Sequence, residues 1–223
     1  MIKMKKLLLL SLPCLISLSL SAHADEREWV PYKKLVEDLR IDKFYALPAA
    51  ERDKVNLFVT VKPNNKNYKP SDVVLTVVHG GERQPLPPLS SDFRMTLVPN
   101  AKWMTDDTRI MTSLPKEEKS AIGWDAVTPL PEGLQWSYAP VMGSVAQINQ
   151  AIKKMAGALS MFAPSVKVVV FKFSKPAQLK VGATVYNTDA RNQIKLKPEA
   201  AWLKENPLMV VSERPFEAEL DGE

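Results

Sequence analysis

Residues 93–113 read FRMTLVPNAKWMTDDTRIMTS, and residues 193–212 read QIKLKPEAAWLKENPLMVVS. At a spacing of 99 positions, Leu97, Pro99, Ala101, Trp103 and Ser113 fall on Leu196, Pro198, Ala200, Trp202 and Ser212. The matched tryptophan and proline weigh most in this alignment. Each copy then continues with an acidic or amide pair, Asp106-Asp107 or Glu205-Asn206, and a short apolar run. The stretch therefore reads as written twice, and the rest of the chain is ordered around the two copies.

Ahead of the first copy, Trp29-Val-Pro-Tyr32 leads into a short amphipathic helix with Leu35, Val36 and Leu39 on one face, Pro31 suiting a first turn. Val55, Leu57, Val59 and Val61 alternate with other residues as in a half-buried strand, and Val73 to Val78 predicts a second. Residues His79 to Pro88 read as a long, proline-rich loop, unsuited to a helix or a central strand. The second half opens in the same way, with Trp136 and Tyr138 before a helix. Ser144 and Gln147 form a capping-box pattern, and Val145, Ile148, Ile152, Met155, Leu159 and Phe162 recur at spacings of three and four until Pro164. Six such side chains, each contributing about 1.5–3 kcal/mol on burial, predict the spine of the core. Strands follow at Val166 to Phe173, Val181 to Tyr186, Leu208 to Val211 and Phe216 to Leu220.

The expected fold is α+β, a tandem repeat of a helix packed on an antiparallel sheet over residues 25–130 and 131–223. This layout resembles that of cystatin-like domains at the level of architecture, with no motif behind the resemblance. The rival is a β-sandwich with one accessory helix, favoured by 18 prolines and many short strands.

Residues 1–24 read as a secretory signal peptide. Lys3, Lys5 and Lys6 precede the apolar run Leu7 to Leu20, and Ala22-His23-Ala24 is a small-x-small cleavage site. Cys14 has Ser11 and Pro13 where a lipid-attachment box would place Leu and a small residue. Cleavage removes three lysines and no acid, so net charge falls from +5 to +2, which leaves no basic footprint for nucleic acid. The expected location is periplasmic or secreted. No second apolar run approaches 18 residues, so no stable membrane insertion is expected after cleavage.

The mature chain keeps one histidine, His79, and no cysteine, so neither a structural zinc site nor disulfides are expected. No calcium loop, phosphate cradle or dinucleotide fingerprint is present, and no cofactor is expected. Ser90 or Ser91, His79 and Asp72 or Asp92 form a triad only on paper, since no Gly-x-Ser-x-Gly elbow surrounds any serine. The acidic pairs Asp106-Asp107, Glu117-Glu118 and Glu217/Glu219 read as solvated turns or strand edges. Trp103 and Trp202 are expected as core plugs of the two repeats, and Trp124, which aligns with nothing, as the exposed aromatic.

This absence of chemistry points to a non-enzymatic exported protein that binds another protein. The alternatives are a carbohydrate- or cell-wall-binding module using Trp124 and Trp136, or a carboxylate- or serine-based hydrolase. The two halves differ most between the second strand and the tryptophan segment. The first half is longer there by 14 residues, which places the expected contact surface on the His79–Asp92 loop with Trp124 beside it. The candidate binding residues are His79, Arg83, Asp92 and Trp124, with no catalytic or metal-ligating residue expected.

Overall fold

The computed structural model describes residues 26–222. The signal-peptide reading of residues 1–24, and Cys14 with it, lie outside the described residues. The first half runs β1 (Arg27–Pro31), α1 (Tyr32–Asp38), α2 (Ile41–Ala46), β2 (Asn56–Pro63), β3 (Leu75–His79), β4 (Glu82–Pro85), β5 (Arg94–Met95), β6 (Arg109–Thr112) and β7 (Ser120–Val127). The second runs β8 (Gln135–Ser137), α3 (Tyr138–Met142), α4 (Ser144–Ala156), β9 (Val168–Lys172), β10 (Gln178–Val181), β11 (Thr184–Asn187), β12 (Gln193–Leu196), α5 (Ala200–Glu205), β13 (Leu208–Val211) and β14 (Glu217–Asp221). A 3-10 turn, Ala101–Trp103, stands in the first half where α5 stands in the second. The protein is α+β and dominated by its three antiparallel sheets.

Those sheets have strand orders β1-β6-β3-β4, β8-β13-β10-β11 and β12-β9-β14-β7-β2-β5. The first two carry the same order in equivalent strands. The third is built from both halves, which meet where Glu219 of β14 faces Val127 of β7. Outward from that junction, each half contributes its strands in the same sequence. The cystatin-like layout is not confirmed, because each half divides its strands between two sheets.

Each identity in the repeated stretch has a structural reason. Leu97 and Leu196 are buried. Behind Pro99 and Pro198, the N–H groups of Asn100 and Glu199 donate to Tyr32 Oη and Tyr138 Oη, both at 2.9 Å. Ala101 and Ala200 open the short helical turns. Trp103 and Trp202 stand edge-on to the same two tyrosines, with ring centroids 5.3 and 5.5 Å apart. Ser113 Oγ accepts from Val74 N–H and Ser212 Oγ from Gln178 N–H, both at 2.9 Å. The fully buried plugs are thus the tyrosines, and the tryptophans lie half-buried over them.

Pairing also corrects the alignment outside the repeated stretch. Val30 faces Ile110 of β6, and Trp136 faces Met209 of β13, so Trp136 takes the place of Val30 rather than of Trp29. An irregularity in β1 between Glu28 and Val30 separates the two registers. Trp136 is only 3% exposed.

The capping-box expectation fails at α4. Ser144 lies inside the fold, its hydroxyl donating to Val141 O and accepting from Thr128. Gln147 reaches across the halves instead: Oε1 accepts from Lys54 N–H, and Nε2 donates to Ala50 O and Asp53. The apolar stripe is buried as expected at Val145, Ile148, Ile152 and Met155. It stops at Gly157, whose φ of +57° and ψ of −126° end the α-helix. Gly157–Phe162 continues as a 3-10 turn. With three residues per turn instead of 3.6, the same spacing no longer falls on one face. Leu159 and Phe162 consequently point out.

Candidate binding surface

The turn that ends α4 builds the most distinctive surface of the molecule. Leu159, Met161 and Phe162 are 60%, 80% and 78% exposed. Leu159 and Phe162 border an apolar cavity of about 370 Å³, completed by Trp124, Ile152, Met155, Ala156, Ala163 and the Asp38–Arg40 corner. β7 supplies Trp124, which faces Val59 across the β2–β7 ladder and so lies on the core side of the six-stranded sheet. Arg40, at φ +54° between α1 and α2, turns its guanidinium to Met155 O at 2.9 Å. That bond satisfies one of the last carbonyls of α4 and fixes one rim of the cavity. Contiguous exposed apolar side chains beside an apolar hollow suit recognition of another apolar surface.

The opposite face of the same sheet is charged. Arg94 of β5, 7% exposed at its side chain, lies against Asp125 of β7 and Glu217 and Glu219 of β14. The contact to Asp125 is 2.7 Å and that to Glu219 is 3.3 Å. Lys172 of β9 pairs with Glu217 at 2.8 Å and also with Glu219. Desolvation would lower the pKa of both cations, but the hydrogen bonds and charges of these carboxylates outweigh it and hold both above their ordinary values. Glu217 and Glu219 are therefore not at a strand edge. β14 runs through the middle of the sheet, between β9 and β7. The cluster ties first-half Arg94 to second-half β14, and each of its three carboxylates has a cation beside it.

Nothing local in the sequence marks this cluster. Glu217 and Glu219 lie 123 and 125 positions from Arg94. The period-two placing of the two glutamates put them on one strand face; only the sheet order brings Arg94 over them.

The four candidate residues do not form one surface. His79 and Arg83 share a hairpin, since His79 faces Glu82 and Val78 faces Arg83. Gly80 and Gly81 are thus a two-residue turn, and residues 82–85 are the strand β4, not part of a long loop. Gly80 and Gly81, both at positive φ, supply the conformation that such a turn needs. His79 Nδ1 is 2.8 Å from Thr108 Oγ1, and Arg83 is paired with Glu26. Asp92 is exposed in the turn before β5 and borders a groove with Pro87, Pro88 and Arg94. Trp124 lies on the other face of the sheet from Arg94.

The paper triad has other partners as well. Ser90 Oγ accepts from Arg94 N–H, and Asp72 caps its own turn by accepting from Lys69 N–H. The excess length of the first half is also divided. Val59 pairs with Met95 as Phe171 pairs with Ile194, while Leu75 and Leu179 hold the same place against Thr112 and Val211. Matching these pairs assigns about eight extra residues to the connection before β3 and about five to the β3–β4 hairpin and the segment leading to β5. The spacing of Leu159 and Phe162 continues the buried stripe and so hides the exposed surface at residues 157–163, Met161 stands outside that stripe, and Gly157 is the one local signal that the helix ends.

Among the described residues, no group of three or more His, Cys, Asp or Glu could hold a metal ion, and no helix is long and apolar enough to cross a membrane. No protein-family model, curated protein or solved structure matches the chain.

Proposed function

We propose that the chain is an exported, non-enzymatic protein that binds another protein through the apolar surface around Trp124. The observation that carries this reading is the exposure of Leu159, Met161 and Phe162, two of them bordering the cavity with Trp124. Apolar side chains of this size gain about 1.5–3 kcal/mol each on burial, so their combined cover by a partner is a substantial driving force. The duplicated order of elements supports a tandem scaffold, residues 25–130 and 131–223, in which α4 and the turn after it are the specialised part of the second unit. The signal-peptide pattern supports export to the periplasm or beyond. The carbohydrate reading relied on Trp124 and Trp136 as exposed rings, and the burial of Trp136 removes half of that platform.

Replacing Leu159, Met161 and Phe162 together by serine tests the proposal. All three are exposed, so the variant should keep the wild-type denaturation midpoint. A photocrosslinker at position 161 of residues 25–223, used in envelope extract, should capture a discrete protein, and serine at 159 and 162 should abolish capture. Equal capture with and without those two serines would place the partner site elsewhere.

A further inference from the structure

The two hairpins at the sheet edges, alike in position, differ in how their outer strands meet solvent. Leu86 N–H donates to Leu75 O at the foot of β3–β4, and Thr188 N–H donates to Ala177 O at the foot of β10–β11. Antiparallel partners exchange bonds at every second residue. The backbone groups of Arg83 and Pro85 in β4, and of Val185 and Asn187 in β11, therefore point away from their sheets. Leu86 and Tyr186 hold equivalent places, opposite Leu75 and Leu179, so Pro85 stands where β11 has Val185.

That exchange changes the edge. Pro85 has no N–H to offer, and β4 also carries Glu82 and Arg83, with Arg83 paired to Glu26. Proline and charge are the usual means of blunting an edge strand. β11 and the residue after it read Thr-Val-Tyr-Asn-Thr, with no charge and no proline, and Val185 is 50% exposed. Among the described residues nothing pairs with its two outward N–H groups or its two outward carbonyls, which leaves them for a further strand.

We propose that β11 is a dimerisation edge, at which two copies of this chain pair antiparallel about a two-fold axis beside Tyr186. The outward-facing residues must meet each other, so Val185 of one copy lies opposite Asn187 of the other. Four backbone hydrogen bonds form, and the two β8-β13-β10-β11 sheets become one of eight strands. In this register Tyr186 faces Tyr186 and Thr184 faces Thr188, pairs of the kinds that stabilise antiparallel ladders. The uncharged stretch sets no like charges against each other, which self-pairing requires more strictly than pairing with a different chain. A closed two-fold contact pairs the two β11 edges with each other, so neither copy keeps an open β11.

The test is sedimentation velocity of residues 25–223 over a dilution series, with Val185→Pro, Val185→Lys, Val185→Glu and an equimolar mixture of the last two. Val185→Pro gives β11 the residue that β4 already has, and its N–H is not used within the sheet. Wild type should sediment as a dimer that dissociates on dilution, and each single variant as a monomer with unchanged circular dichroism. The Lys and Glu variants place like charges on diagonal neighbours in their homodimers, and mixing them should restore a dimer. A wild-type protein that stays monomeric throughout would overturn the proposal. So would dimers that persist in Val185→Pro and Val185→Lys alike.

Discussion

Tyr32 and Tyr138 show how much one side chain does in this molecule. Each is fully buried, carries a tryptophan edge-on, and accepts a hydrogen bond from the backbone of the following repeated stretch. Tyr32→Phe or Tyr138→Phe leaves the ring in place but deprives an N–H of its acceptor, a loss of about 1–3 kcal/mol. The two substitutions should lower the urea midpoint by similar amounts, and a cost confined to one of them would contradict their equivalence. Burial also raises the pKa of both tyrosines, and the ion pairs with Glu217 and Glu219 raise that of Lys172 against its desolvation. Groups whose folded pKa lies above the unfolded value contribute stability that is complete below the unfolded pKa and lost as pH rises through the folded one. The denaturation midpoint should therefore fall as pH rises above about 10, the ordinary range of tyrosine and lysine. A midpoint that holds level through that range would count against these contacts.

At the scale of elements, the decisive feature is the end of α4. The helix has its expected buried face for four apolar residues, and Gly157 then takes a conformation that a side chain strains even though the space around it is open. Gly157→Ala should cost about 1–3 kcal/mol, the range for a residue held in a sparsely populated backbone region. Denaturant titration followed by tryptophan fluorescence measures it. An unchanged midpoint would mean that the turn is not fixed by the glycine and that α4 extends toward Phe162. The hairpins make a similar point about turn chemistry. Gly80-Gly81 suits a two-residue hairpin turn, but the prolines beyond it suggest a loop. Pro85 is compatible with β4 because it sits at an edge with its missing N–H directed outward, and Pro87 and Pro88 follow the strand.

The whole molecule is held across its two halves by the six-stranded sheet. β7 meets β14 at its centre, Arg94 on one side binds Glu217 and Glu219 on the other, and Gln147 of α4 holds the segment before β2. A single apolar cluster includes residues of both halves. Urea unfolding should accordingly be one transition, coincident by fluorescence and far-ultraviolet circular dichroism; two separated transitions would show that the halves fold independently. Arg94→Met leaves three carboxylates without their buried cation. Breaking a buried pair costs about 3–5 kcal/mol when the partner is left uncompensated, and the partial exposure of the carboxylates, with Lys172 still beside Glu217 and Glu219, puts the expected loss at or below the lower figure. That loss should appear as a shift of the single midpoint, and a variant as stable as wild type would make the cluster a surface decoration.

Several features were legible from residue order alone. The repeated stretch identified Leu97/Leu196 and Ser113/Ser212 as equivalent, and period-two and helical spacing placed β2, β3, the first four members of the α4 stripe and the second-half strands β9, β13 and β14, whereas Val181 to Tyr186, expected as one strand, crosses the Gly182 turn between β10 and β11. These are local properties, since side-chain alternation and backbone preference act over a few residues. Residue order did not reveal that β7 and β14 join the halves, that Arg94 lies over Glu217 and Glu219, or that Tyr32 and Tyr138 rather than the tryptophans are the buried plugs. It also read residues 79–85 as part of a loop where the structure has a hairpin. Each of those depends on which strands become neighbours and which faces are covered, and contacts between residues a hundred positions apart leave no periodic trace in the chain. Only tertiary packing decided them, because burial and charge pairing are properties of the surroundings that the fold assembles around a side chain.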